Sequence, residues 1–188
     1  MKINSLSLIS TLAVLTCAST ANAGVIADFY IGGMVGAGGQ TLFTKDNHDN
    51  STSRLLGAIA GMDIPVFRIE AEYNYIDSSD LNTNAAMVNA YFKVPSTIIL
   101  PYIGGGIGMV FNGDHTVTTG GIDTTFDIKT TAAYQGMLGA TIDILAVPLK
   151  FDVEGRVLYA PDIYKVPGTN ITPDMLQYNV RVKMRYIF

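Results

Sequence analysis

The chain has 188 residues, 48% of them hydrophobic and 15% charged, with 16 acidic residues against 12 basic, one Cys, no Trp and 19 Gly. This balance excludes a phosphate-steered nucleic-acid binder, a disordered chain and a disulfide scaffold. Beyond the first segment no stretch offers the roughly 20 unbroken apolar residues of a membrane-spanning helix. The apolar half of the chain must be arranged in some other way.

Met1 to Ala23 reads as a secretory signal peptide, with Lys2 as the basic start, Leu6 to Cys17 as the apolar core and Ala21-Asn22-Ala23 as a small-x-small cleavage site before Gly24. The apolar core runs about a dozen residues, too short for a membrane anchor. Acylation at Cys17 would make a lipoprotein, but Val14 and Thr16 suit that motif poorly. The expected division is a signal peptide over 1–23 and one domain over 24–188, which is 188 − 23 = 165 residues. That domain has no Cys and, without Lys2, a net charge of −5. An exported chain without cysteine points to the bacterial envelope.

Period-two alternation then recurs along the domain and predicts eight strands. In the first, Phe29, Ile31, Val35 and Ala37 share a parity against Asp28, Tyr30, Gly32, Met34 and Gly36. The second, Arg54 to Met62, is too small and apolar on both faces to assign a parity. The third alternates Arg68, Glu70, Glu72 and Asn74 with Phe67, Ile69, Ala71, Tyr73 and Tyr75. In the fourth, Val88, Ala90, Phe92 and Val94 oppose Asn89, Tyr91 and Lys93. The fifth sets Ile103, Ile107, Met109 and Phe111 against Tyr102, Gly104, Gly106 and Gly108. The sixth sets Tyr134, Leu138, Ala140, Ile142 and Ile144 against Thr131, Gln135, Thr141 and Asp143. Lys150, Asp152, Glu154 and Arg156 alternate with Phe151, Val153, Gly155, Val157 and Tyr159 in the seventh. The eighth is the strongest: Gln177, Asn179, Arg181, Lys183 and Arg185 alternate with Leu176, Tyr178, Val180, Val182, Met184, Tyr186 and Phe188.

Connections between these segments alternate strictly between short and long. Asp63 to Pro65, Pro95 to Thr97 and Leu145 to Pro148 are short, whereas Gly39 to Ser53, Ile76 to Asn82, Asn112 to Ile128 and Pro161 to Asp174 are long and polar. An up-and-down barrel with all its short turns at one end requires this order. Aromatics on the apolar parity fall into two sets: Phe29, Phe67, Phe92, Phe151, Tyr186 and Phe188 near the short turns, and Tyr73, Tyr75, Phe111, Tyr134, Tyr159 and Tyr178 near the long loops. Two aromatic rings separated by aliphatics are the girdles of a transmembrane barrel. The expected fold is therefore all-β, an eight-stranded antiparallel up-and-down transmembrane β-barrel. A soluble sandwich or barrel shows the same alternation but turns its apolar face inward.

Charge sorts with this plan. The polar strand faces hold Arg68, Lys93, Lys150, Arg156, Arg181, Lys183 and Arg185 with Asp28, Glu70, Glu72, Asp143, Asp152 and Glu154, while Arg54, Asp63 and Lys129 fall at edges. The long loops hold nine acidic residues (Asp46, Asp49, Asp77, Asp80, Asp114, Asp123, Asp127, Asp162, Asp174) and two basic ones (Lys45, Lys165). Eight strands leave room only for packed side chains, so the polar faces predict a lumen filled by paired charges that does not pass sugar-sized solutes.

With Phe29-Tyr30-Ile31-Gly32-Gly33, Pro101-Tyr102-Ile103-Gly104-Gly105-Gly106-Ile107-Gly108 and the terminal Tyr186-Ile187-Phe188 in view, the domain resembles the small outer-membrane β-barrel family that includes the opacity-type proteins of Gram-negative bacteria. The resemblance covers essentially the whole domain, and the absence of Trp is its one departure. It implies an outer-membrane protein with both termini periplasmic, no cofactor, contacts with outer-membrane lipid and lipopolysaccharide, and a monomeric state. In that family a final aromatic after alternating apolar residues resembles the signal read by the outer-membrane assembly machinery, and Val180, Val182, Met184, Tyr186 and Phe188 fit it. Members range from adhesins and surface antigens to proteins of no known activity, so the fold does not fix the function.

Residues with possible chemistry are few. Gly104, Gly106 and Gly108 fall short of a dinucleotide fingerprint because Met109 stands at its last Gly and no helix follows; glycines on an inner face instead make room for long side chains opposite. His48 with Ser51, or His115 with Asp114, would be a nucleophile-base set for an outer-leaflet lipid-modifying enzyme, but neither has a recognisable spacing. Asp114, His115, Asp123 and Asp127 offer oxygen and nitrogen ligands to a divalent cation, although acidic loops of this kind are usually only hydrated. The reading is a non-enzymatic structural or adhesion barrel whose loops meet a host or cell-surface ligand, with the lipid-modifying enzyme and a narrow porin as alternatives.

Overall fold

The structure, a computed structural model, describes residues 27–44, 47–78, 82–96, 99–111, 114–119, 122–127, 130–144, 147–163 and 173–188. Ala21 and Ala23 of the cleavage site lie outside them. The strands are β1 (Asp28–Thr44), β2 (Asn47–Asp63), β3 (Phe67–Ser78), β4 (Thr83–Lys93), β5 (Ile99–Phe111), β6 (Asp114–Thr119), β7 (Ile122–Asp127), β8 (Thr131–Asp143), β9 (Leu149–Ala160) and β10 (Asp174–Ile187). Eight of them close an antiparallel barrel in the order β1-β10-β9-β8-β5-β4-β3-β2, and β6 and β7 form a separate hairpin.

Register fixes the geometry of the barrel. Starting at Gln40 and stepping across hydrogen-bonded partners, the path runs through Gln177, Leu158, Gln135, Gly106, Asn89, Glu70 and Gly61 and returns to β1 at Tyr30, a shear of 40 − 30 = 10 residues. With the standard rise and strand spacing, eight strands of this shear tilt by about 40°. Each residue then climbs about 2.5 Å, so about ten residues cross the roughly 25 Å apolar band of such a barrel. The outer face is apolar and the inner face charged: Leu138 is 68% exposed and Ile107 66%, while Arg68, Arg181 and Arg185 are 0% exposed. This inverts the pattern of a soluble barrel and disposes of that reading.

Two stretches differ from the sequence expectation. Gly39 to Ser53 reads as a loop, yet β1 and β2 continue through it as paired 17-residue strands. They outrun the apolar band, so their polar Thr, Asn and Ser content reflects water around a protruding hairpin. Likewise Asn112 to Ile128 contains the β6–β7 hairpin, paired from Asp114 with Asp127 to Thr119 with Ile122. In β2, where the sequence shows no parity, Leu55, Ile59 and Asp63 are buried while Leu56 is 62% exposed.

Inward glycines sit under tyrosines. Tyr30 pairs with Gly61, Tyr91 with Gly104 and Tyr102 with Gly139, so each ring lies across a position without a side chain. A Cβ on Gly139 would meet Tyr102 Oη at 2.7 Å and the Val153 carbonyl at 2.6 Å, whereas one on the outward Gly136 would meet nothing within 4 Å. Gly139→Ala therefore costs about 1–3 kcal/mol by overpacking. Gly136→Ala, on the same strand, is expected to stay within about 0.5 kcal/mol. Urea midpoints of the refolded barrel read both; equal midpoints would refute the account.

Candidate functional site

The lumen is built in layers from the short-turn end. Asp63 accepts hydrogen bonds from Lys93 Nζ and, at 3.1 Å, from Arg185 Nη1. Lys150 lies 3.5 Å from Asp143 and 3.9 Å from Asp63 at this half-open mouth. One layer inward, Asp152 accepts from Arg185 Nε at 2.8 Å, Arg68 Nη1 at 3.1 Å and Thr141 Oγ1 at 2.5 Å. The Arg68 guanidinium lies 4.0 Å from the Tyr91 ring centroid and 4.5 Å from that of Tyr102, a cation held over two rings.

The central layer is denser. Glu70 accepts from Lys183 Nζ at 2.8 Å, Tyr30 Oη at 2.8 Å and Tyr91 Oη at 2.9 Å. Glu154 accepts from Arg181 Nε at 2.5 Å and Tyr102 Oη at 2.9 Å, with Lys183 Nζ at 3.2 Å. Glu72 takes Arg181 Nη1 at 2.6 Å and Nη2 at 3.0 Å, Asn74 Nδ2 at 2.5 Å and Asn89 Nδ2 at 2.8 Å. Above it Arg156 reaches the amide oxygens of Gln135 and Gln177, and Gln177 reaches Ser53. Leu42, Leu55, Ile76, Val110, Leu158, Ile163 and Met175 bury the long-loop end.

Position around the ring shows what the pairs do. β3 and β9 stand four places apart among the eight barrel strands, diametrically opposite, so the Arg68–Asp152 pair spans the bore. Pairs of β10 with β3 tie further walls together. The bore is thus crossed at hydrogen-bond distance in this layer. On the outer wall Ala37, Gly136, Leu138, Gly155, Val157 and Val180 line a hollow of about 820 Å³. The inward-parity Gly38, Met137, Arg156 and Asn179 border the same hollow.

Of the sequence-selected lumen residues, Arg68, Glu70, Glu72, Lys93, Asp143, Lys150, Asp152, Glu154, Arg156, Arg181, Lys183 and Arg185 all enter ion pairs. Asp28 stands at the rim and enters none among the described residues. Asp63, placed by its sequence position at a turn edge, belongs to the network. Tyr30, Tyr91 and Tyr102 are also part of it; their inward parity was the available signal, but only the register shows the glycine each one covers. Val180, Val182, Met184, Tyr186 and Phe188 all face outward.

The side chains of the loop candidates His48, Asp114, His115, Asp123 and Asp127 lie outside the described ones, and their backbone gives register alone. Ser51 Oγ lies 2.8 Å from Ser78 Oγ, and His48 is in register with Phe43. Asp114 pairs with Asp127, whereas His115 pairs with Phe126 on the other parity of the hairpin. No group of His, Cys, Asp and Glu that would hold a metal occurs among the described residues.

A closed barrel with a lipid-facing apolar wall and a charge-paired bore defines a transmembrane β-barrel. Residues 9–186 match the family described as the outer membrane protein beta-barrel domain, and the chain belongs to that family. No curated protein matches it in sequence. Among solved structures, Neisserial surface protein A is similar, with 15% identity, 84% of this chain and 97% of that chain covered and a TM-score of 0.58. So is Ail, the attachment invasion locus protein of Yersinia pestis, solved with the heparin analogue sucrose octasulfate, at 7% identity, 85% and 99% coverage and a TM-score of 0.51. The outer membrane enzyme PagL aligns at 14% identity over 80% of this chain and 97% of that chain, with a TM-score of 0.40. At these identities the likeness is one of fold. The protein is thus an outer-membrane β-barrel of a Gram-negative bacterium.

Glu154→Gln tests the network. It leaves the buried Arg181 and Lys183 short of a counter-charge and is expected to cost about 3–5 kcal/mol, while Glu154→Leu with Arg181→Leu costs less than the two single changes added together. Unfolding midpoints of the wild type, Glu154→Gln, the two single Leu variants and the double Leu variant measure this, and strict additivity in the Leu cycle would contradict the coupling.

Proposed function

We propose that the protein is a non-enzymatic, non-conducting frame of the outer membrane whose acidic loops bind a partner at the cell surface. The observation that supports this most is the bore crossed by buried ion pairs, Arg68–Asp152 foremost. A frame closed at its middle leaves the long-loop end as the working surface, and loops on rigid barrels are where binding residues concentrate.

The sign of that surface narrows the partner. Nine acidic residues against two basic ones favour a cationic ligand or host surface and disfavour a polysulfated ligand of the kind bound to Ail. In this reading the signal peptide is removed after Ala23, both strand ends at the short-turn side face the periplasm, and the outward Val180 to Phe188 parity serves assembly.

Two measurements, one on purified protein and one on whole cells, test the proposal. Purified protein in a planar bilayer is expected to show no large, stable, porin-like conductance. Cells displaying it are expected to adhere to a polylysine-coated surface in a salt-sensitive manner, and Asp→Asn changes at Asp77, Asp80, Asp123 and Asp162 should abolish adhesion while heat-modifiable migration is kept. Stable conductance, or folded variants that adhere like the wild type, would overturn it. N-terminal sequencing of the membrane-extracted protein should begin at Gly24; an intact Met1 would refute the processing.

A further inference from the structure

The buried charges of the lumen do not cancel. Among the described residues the enclosed set has five carboxylates (Asp63, Glu70, Glu72, Asp152, Glu154) and six cations (Arg68, Lys93, Arg156, Arg181, Lys183, Arg185). Five of the cations hydrogen-bond directly to a carboxylate oxygen. Arg156 does not: its carboxylate neighbour, Glu72 Oε1, is 3.6 Å away and already accepts from Arg181 and Asn74. Two guanidinium nitrogens of Arg156 reach neutral amide oxygens, and its Nε donates to nothing. Its ion pair is thus a longer share of a carboxylate already committed to Arg181, and a buried cation so weakly compensated is costly.

Its neighbours supply an independent observation. Asn179 is the cross-strand partner of Arg156, is 6% exposed, and has neither amide atom partnered. Gln40, opposite Gln177 in the next inward row, is 1% exposed and equally unpartnered. With both atoms of each amide free, either side chain can present its NH₂ group. The inward positions of β1 beside them, Gly36 and Gly38, bring no side chain. By register Asn179 stands on the strand next to Arg156, and Gln40 one strand and one inward-facing row further, beside a positive charge whose carboxylate is shared and 3.6 Å away. Water would satisfy the hydrogen bonds but would leave the charge.

We propose that Arg156 Nε, Asn179 Nδ2 and Gln40 Nε2 form a buried site for one small monovalent inorganic anion of the halide class, at the long-loop end of the ion network. The anion neutralises the enclosed set of charges and gives a partner to Arg156 Nε and to the Asn179 and Gln40 amides.

Chloride is the probe. Folded protein in detergent is titrated with chloride against gluconate at constant ionic strength, following the chloride NMR line width and the heat-unfolding midpoint. The wild type is expected to broaden the line and to gain midpoint with chloride; Arg156→Gln and Asn179→Leu lose both responses, and Lys165→Gln, a loop cation, keeps them. Should Arg156→Gln fail to fold, Asn179→Leu decides, since it removes donors without removing charge. A crystal grown in bromide should show an anomalous peak within hydrogen-bond distance of Arg156 Nε. Absence of broadening by the folded wild type, full broadening by folded Asn179→Leu, or only water at that position would each overturn the proposal.

Discussion

Backbone hydrogen bonding in a medium without water is the constraint from which the rest of the structure follows. A strand edge exposed to hydrocarbon leaves amides and carbonyls unsatisfied at several kcal/mol each, so a sheet in the bilayer must close on itself. Closure with eight strands and a shear of ten fixes both the tilt and the narrow bore. Alternation then leaves no freedom: if every second residue meets lipid, the others meet one another across that bore. The inner face must be filled to native density, and charge there must find charge.

How it is filled explains the choice of residues. A lumen packed with aliphatic side chains would be cheaper than one holding buried ion pairs, since such pairs seldom repay their desolvation. What the ion pairs add is geometry. Arg68 joins opposite walls only when β3 and β9 stand at the observed register, and a slip of one residue would turn its side chain to the lipid. Tyrosines extend the same logic: Tyr30, Tyr91 and Tyr102 each combine a hydroxyl donated to a glutamate with a ring laid over a facing glycine. Shear, pairing and small-residue placement are thus one specification expressed in three ways.

Parity was legible in the sequence because lipid and lumen impose opposite chemistry on adjacent residues. The alternation in β3, β9 and β10 gave strand and parity without any knowledge of neighbours, while a soluble barrel with the faces reversed shares that alternation and only the closed structure sets the charged parity inside. Pairing was not legible, since it depends on register between strands distant in the chain: Arg181 and Glu72 are separated by 109 residues. Asp63 was hidden for a related reason. It closes β2 beside a short turn and looks like a turn residue, yet closure brings it under Lys93 and Arg185. The protruding β1–β2 hairpin was hidden because, above the lipid, neither face of a strand needs to be apolar.

Charge is finally partitioned by depth. The lipid-facing wall has almost none, the enclosed lumen holds a slight positive excess, and the long-loop end is strongly acidic. The loop charges stand in water, where salt screens them beyond about 8–10 Å. The lumen cannot offset them from a distance, so their repulsion must be relieved locally by solvent ions or by a cationic partner. β1 and β2 lift part of this acidic rim clear of the bilayer. Beneath it the ion-paired bore ties opposite walls together, Arg68 on β3 to Asp152 on β9, at the register on which the barrel depends.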